Sequence, residues 1–142
     1  MIRTAILTMS DKGATGERED KSGKVIEEMI EEIDGEVAYY KIIPDEREMI
    51  EEELKSICDN DQADLIVTTG GTGFSERDVT PEATAAIVEK NVPGIPEKMR
   101  ADTMKITRMA ALSRAKAGIR KKTLIVNLPG SPKAVRECLE FI

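Results

Sequence analysis

Three glycines fall within four residues, Gly70-Gly71-Thr72-Gly73, directly after the strand-forming run Leu65-Ile66-Val67-Thr68-Thr69. A carboxylate, Asp78, then stands just ahead of a helix start at Thr80-Pro81-Glu82. A loop of this kind exposes main-chain N–H groups with no side chains in the way, which is how many proteins hold phosphate. Asp78 lies where a metal-bound phosphate could reach it. The loop is not a P-loop, because no Gly-Lys-Ser/Thr follows at the required spacing, and it lacks the third glycine of the dinucleotide fingerprint. Its plainer reading is a tight turn that needs positive φ.

Asp45 also follows a strand-forming run, so Asp45 and Asp78 can converge on one sheet edge. Nucleotidyl transfer needs charge neutralised at the phosphates and an attacking oxygen held in line, and Mg²⁺ on one or two carboxylates is the common device. Asp45 can instead cap a helix three residues before Glu48, and Asp78 can cap nearby amides. Ser10-Asp11 suits a phosphate contact or a turn. Asn127-Leu128-Pro129-Gly130-Ser131-Pro132 opens a helix whose N-terminal N–H groups attract an anion, or is a plain Ser-Pro helix start. The chain has no histidine, which removes Ser-His-Asp chemistry, His-ligated zinc and an imidazole base.

The elements that must position these residues are legible from patterning. Strands are expected at residues 3–9, 36–43, 63–69 and 122–128. A helix runs from Asp20 or Ser22 to the stop at Asp34-Gly35, and another follows Asp45 with Met49, Ile50, Leu54 and Ile57 inward. A third covers 81–90, with Thr80 as N-cap and Pro81 at its first position. Residues 97–118 read as one helix with Met99, Ile106, Met109, Ala110 and Leu112 inward. The last helix turns Val135, Cys138, Leu139 and Ile142 inward. Alternating strands and helices predict a three-layer α/β/α domain with a mostly parallel central sheet and a ligand at its carboxyl edge.

With 142 residues the chain is expected to be one domain, 1–142, burying roughly 68–70% of its unfolded surface. The net charge of −6 argues against general nucleic-acid binding. Charge is uneven: residues 27–61 hold fourteen acids and three bases, and residues 98–122 hold nine bases and one acid. That basic stretch is either a rim that attracts anions to the site or a solvated face. No apolar run approaches the ~20 residues that span a bilayer, and the first residues enter a strand directly, so no signal peptide is expected. Cys58 and Cys138 suit reduced, buried thiols in the cytoplasm.

Four motifs together resemble one family: Thr8-Met9-Ser10-Asp11, Ile43-Pro44-Asp45, the glycine loop through Asp78-Val79-Thr80-Pro81, and Asn127-Leu128-Pro129-Gly130-Ser131-Pro132. The chain is similar over nearly its whole length to the molybdopterin-binding proteins of molybdenum cofactor synthesis, the MogA/MoaB and gephyrin G-domain group. That resemblance implies transfer of AMP from ATP to molybdopterin with release of pyrophosphate. It implies Mg²⁺ on Asp45 and Asp78 as the catalytic pair. It also implies nucleotide phosphates on Gly70, Gly71, Thr72 and Gly73, and molybdopterin on Ser10, Asp11, Asn127, Pro129, Gly130 and Ser131. A homotrimer, or a hexamer built from trimers, and a partner protein that inserts molybdate, come with it. A non-catalytic pterin carrier or a scaffold module of the same family stays open, as does an unrelated Mg²⁺-dependent phosphohydrolase. Members of the family usually continue past the last helix, so a compact member and a missing tail are both open.

Overall fold

The computed structural model describes residues 1–141. Ile142, expected on the inner face of the last helix, lies outside the described residues. In chain order the elements are β1 (Ile2–Met9), α1 (Asp11–Ala14), α2 (Lys21–Glu32), β2 (Gly35–Ile43), α3 (Arg47–Asp59), β3 (Leu65–Thr69), α4 (Thr80–Ile87), β4 (Lys90–Asn91), α5 (Gly94–Thr103), β5 (Ala117–Arg120), β6 (Thr123–Leu128) and α6 (Pro132–Phe141). A 3₁₀ turn, Arg108–Leu112, precedes β5.

One six-stranded sheet runs in the order β2-β1-β3-β6-β5-β4. The first four strands in that order are parallel, and β5 and β4 add an antiparallel edge. Successive residues of β1 feed opposite cores, as a sheet covered on both faces requires. Ala5, Leu7 and Met9 pack with Ile50, Leu54 and Ile57 of α3 and with Ala83 and Ile87 of α4. Ile6 packs with Ile26 and Ile30 of α2, Met99 of α5, and Val135 and Cys138 of α6. Helices therefore flank the sheet on both sides, the expected three layers. Cys58 and Cys138 are buried free thiols.

A register shift between Thr4 and Ala5 leaves Ala38 as the extra residue of β2. The bulge reverses the alternation: Val37 joins the α2 side, Tyr39 the α3 side. Tyr40 is thereby turned toward the start of α2, where its hydroxyl donates to Asp20.

Several boundaries depart from the sequence reading. Residues 11–14 form a one-turn helix inside the expected loop, capped by Ser10, whose Oγ accepts from the Gly13 N–H at 3.0 Å. Helix α4 ends at Ile87 because Val88 is extended and the Glu89 N–H pairs with the Ile119 carbonyl, diverting residues 88–91 to the sheet edge. Its cap is Val79, and Thr80 is its first residue. The single helix expected over 97–118 is three pieces: α5, the 3₁₀ turn and β5. Met99 is buried, while Ile106, Met109 and Leu112 stay exposed.

Candidate active site

A cleft of about 880 Å³ opens at the carboxyl ends of β1 and β3, where the strand order reverses direction between β2 on one side and β6 on the other. That crevice is where open α/β sheets bind ligands. Met9 and Ser10 line it from the end of β1, Thr69, Gly70 and Gly71 from the end of β3, and Gly130, Ser131 and Pro132 from the start of α6. Asp45 and Asp78 reach it from the loops ahead of α3 and α4, and residues 17–22 form its far wall.

The glycines here answer to close approach. Gly70 and Gly71 have φ of +93° and +71°. A Cβ on Gly70 would stand 2.5 Å from the Met9 carbonyl oxygen, and one on Gly71 would run into Thr80 Oγ1. Only glycine lets the main chain pass so close to β1 and α4. The Gly70 N–H bonds the Leu128 carbonyl at 3.2 Å, and the Thr80 N–H bonds the Gly71 carbonyl at 3.2 Å. Thr80 Oγ1 is buried without a hydrogen-bond partner among the described residues.

Asp45 is not the helix cap that its spacing suggests. The cap of α3 is Glu46, which makes no side-chain cap bond. Asp45 Oδ2 instead accepts from the Asp11 N–H at 3.2 Å, and the Asp45 N–H donates to Asp11 Oδ1 at 2.9 Å. Arg77 closes the group: its Nε and Nη2 donate to both Asp11 oxygens at 3.0 and 2.8 Å, and Nη2 also reaches Glu46 at 3.1 Å. Asp11 thus belongs to an ion pair and is not among the cleft-lining residues. The Arg77 guanidinium and the Asp45 N–H hold the Asp11 carboxyl below its ordinary value. Burial pushes the Asp45 carboxyl up, and the nearby charges of Asp11 and Asp78 push the same way.

Asp78 Oδ2 accepts from the Ser75 N–H at 3.0 Å. Each of Asp45 and Asp78 thus commits one oxygen to a main-chain N–H, leaving the other without a hydrogen bond among the described residues. No group of three or more His, Cys, Asp or Glu gathers to hold a metal among the described residues. Two aspartates that line a common cleft, each with one hard carboxylate oxygen free of hydrogen bonds among the described residues, do fit Mg²⁺, which takes one or two protein carboxylates and completes its shell with phosphate and water. A cation would also relieve the burial that disfavours charge on Asp45.

Sequence reasoning missed the wall opposite the glycines. Asp20 caps α2 through the Gly23 N–H at 2.9 Å and accepts from the Thr8 hydroxyl at 2.7 Å. The Ser22 hydroxyl donates to the Gly130 carbonyl at 2.5 Å, and the Thr69 hydroxyl to the Pro129 carbonyl at 2.6 Å. These two bonds hold the turn that leads into α6, where Ser131 Oγ accepts from the Ala134 N–H at 3.1 Å. The available signal was Ser22, a polar residue on the inner side of a helix start.

Asn127 does not join the cleft. It is fully buried, its amide donates to Thr68 and Thr84 at 3.0 Å each, and its Oδ1 accepts from the Lys116 N–H at 3.1 Å. Pro129, Thr72 and Gly73 are not among the cleft-lining residues. None of the nine bases of the basic stretch lines the cleft. Arg100 and Arg120 are engaged with main-chain carbonyls, Arg120 also with Asp59, and Lys98 pairs with Asp102.

Residues 5–142 match the family described as "Probable molybdopterin binding domain". A molybdopterin adenylyltransferase of Helicobacter pylori strain ATCC 700392 / 26695 is 49% identical over 143 residues, covering 99% of this chain and 81% of that protein. The molybdopterin adenylyltransferase of Escherichia coli K12 is 38% identical over 148 residues, covering 99% and 73%. Among solved structures, the molybdopterin biosynthesis enzyme MoaB from Thermus thermophilus superposes with a TM-score of 0.93 at 51% identity, covering 99% of this chain and 88% of that one.

Proposed function

This chain belongs to the molybdopterin-binding family of molybdenum cofactor biosynthesis, and from that premise we propose that it is a molybdopterin adenylyltransferase. A phosphate oxygen of molybdopterin attacks the α-phosphorus of ATP; a new P–O bond forms, the bond to the bridging α,β-oxygen breaks, and pyrophosphate leaves. The observation that carries this reading is the pairing of Asp45 and Asp78 beside Gly70 and Gly71 in one cleft.

Gly70 and Gly71 bring main chain, free of side chains, to the nucleotide phosphates. Thr72 and Gly73 support that stretch from behind. Ser10, Gly130 and Ser131 hold the pterin end, with the first turn of α6 toward its phosphate. Asp11, through Arg77, and Pro129, through Thr69, fix the walls of that end. Asp45 and Asp78 are the residues that would hold Mg²⁺. When bound there, Mg²⁺ supplies charge neutralisation for the transferring phosphoryl group and the departing pyrophosphate.

We read residues 1–142 as a single molybdopterin-binding domain of a cytoplasmic homotrimer, with a hexamer built from two trimers as the other assembly. A molybdate-inserting protein would take up its product. Sedimentation of the purified chain decides the assembly. Mass spectrometry of a reaction with ATP, Mg²⁺ and molybdopterin tests the chemistry. A product heavier than molybdopterin by one adenylyl group is expected; ADP and phosphate formed without molybdopterin would mean a phosphohydrolase.

A further inference from the structure

Arg114 does not line the cleft, yet it holds both ends of the loop that carries Asp78. Its main-chain N–H donates to the Thr72 carbonyl at 3.1 Å. Its Nε donates to the Gly73 carbonyl at 2.8 Å, its Nη2 to the Asp78 carbonyl at 2.8 Å, and its Nη1 to Glu82 Oε2 at 2.5 Å. Guanidinium donors stand in a fixed planar fork. Engaging the fork in three directions fixes the separation of residues 73 and 78 and the orientation of the main chain at Asp78. Within the loop, the Ser75 N–H donates to Asp78 Oδ2 at 3.0 Å and the Asp78 N–H to the Ser75 carbonyl at 2.9 Å. The Asp78 carboxylate is therefore tied to a loop whose two ends are tied to Arg114.

We propose that Arg114 is a positioning residue for the transfer reaction: by holding the main chain of Gly73 and Asp78 it sets where the Asp78 carboxylate stands over the cleft, and so how tightly the site takes a divalent cation together with nucleotide phosphates. This rests on the adenylyltransferase reading. Lysine cannot replace it, because an ammonium is a point charge that does not span two carbonyls and a carboxylate. Glu82 completes the set, but a glutamine there still accepts the third bond and leaves the fork on both carbonyls.

Arg114→Lys, Arg114→Met and Glu82→Gln separate these roles. Three quantities are read: Mg²⁺ dependence of ATP binding by calorimetry, Mg²⁺ dependence of pyrophosphate release, and Tm. In both Arg114 variants the Mg²⁺ concentration for half-maximal ATP binding and release rises ~10–100-fold, the usual loss when a group that orients a metal ligand is removed. The KM for molybdopterin stays at the natural value, and Glu82→Gln keeps the natural Mg²⁺ dependence. An Arg114→Lys protein with unchanged Mg²⁺ dependence overturns the proposal. So does a lowered Tm with ATP and molybdopterin binding lost in equal measure. Should Arg114→Met fail to fold, the lysine variant decides. If the natural protein releases no pyrophosphate, the adenylyltransferase reading fails, and the shift in Mg²⁺-dependent ATP binding still decides the role of Arg114. A natural protein that binds no ATP with Mg²⁺ overturns both.

Discussion

Asp11 and Asp45 each donate a main-chain N–H to the other's carboxylate, at 3.2 and 2.9 Å, and Arg77 grips Asp11 with two nitrogens. The end of β1 is thus joined to the loop after β2, and Arg77 brings in the loop that carries Asp78. Asp11→Ala removes the acceptor for the Asp45 N–H and the pair with Arg77, leaving only the main-chain N–H of residue 11 on Asp45; Asp11→Asn keeps an acceptor for Asp45 and loses the charge. Pyrophosphate release should fall ~10–100-fold in the alanine variant and less in the asparagine variant. Tm should barely move in either, because exposed ion pairs contribute only ~0–1 kcal/mol. A large fall in Tm without a fall in turnover would assign the group to stability alone.

Burial, with the charges of Asp11 and Asp78, raises the Asp45 carboxyl above its ordinary value. The folded protein then keeps this proton to higher pH than the unfolded chain does. The stability it brings is full below the ordinary carboxylate range and falls as pH rises through the raised value. Asp45→Asn should flatten that decline, so its Tm at pH 7 should equal or exceed the natural one while pyrophosphate release is lost. Melts between pH 4 and 8 check this. A variant Tm lower by ~4 °C or more at pH 7, about 1 kcal/mol in a chain of this size, would contradict it.

Gly71→Ala and Gly73→Ala should part company. At Gly71 the φ of +71° and the Thr80 hydroxyl leave no room for a methyl group, and the strain should cost ~1–3 kcal/mol. At Gly73 the methyl would stand 2.9 Å from Asp78 Oδ2, a side-chain end that can swing away. Gly73→Ala should therefore melt near the natural Tm yet release pyrophosphate slowly. Equal Tm losses in the two variants would remove the distinction.

Asn127→Leu should lower stability by about 2–3 kcal/mol, since it leaves the buried Thr68 and Thr84 hydroxyls and the Lys116 N–H without their partner. Molybdopterin affinity of the folded fraction should stay near the natural value. A hundredfold loss of affinity with unchanged Tm would put Asn127 in the site after all.

What the sequence made legible was mainly local. The glycine loop and the Ser-Pro helix start announce themselves because each needs particular residues at adjacent positions. The role of Asp45 depends on Asp11, thirty-four positions away, and helix-cap spacing cannot reveal such a partner. Arg114 looked like one base in a basic stretch because two of its three side-chain acceptors are main-chain carbonyls, which carry no residue signature. The span 97–118 read as one helix because its alanines, methionines and cations are good helix formers. Its last two residues instead begin β5, drawn to the sheet by pairing with β6 and β4.

Pyrophosphate release from ATP and Mg²⁺, with and without molybdopterin, in the natural protein and in Asp78→Asn tests the central claim most directly. Release that requires molybdopterin and falls at least ~100-fold in the variant, about 2.7 kcal/mol of transition-state stabilisation, is the predicted result. Tight molybdopterin binding by both proteins with no release from either would contradict it and leave a pterin carrier.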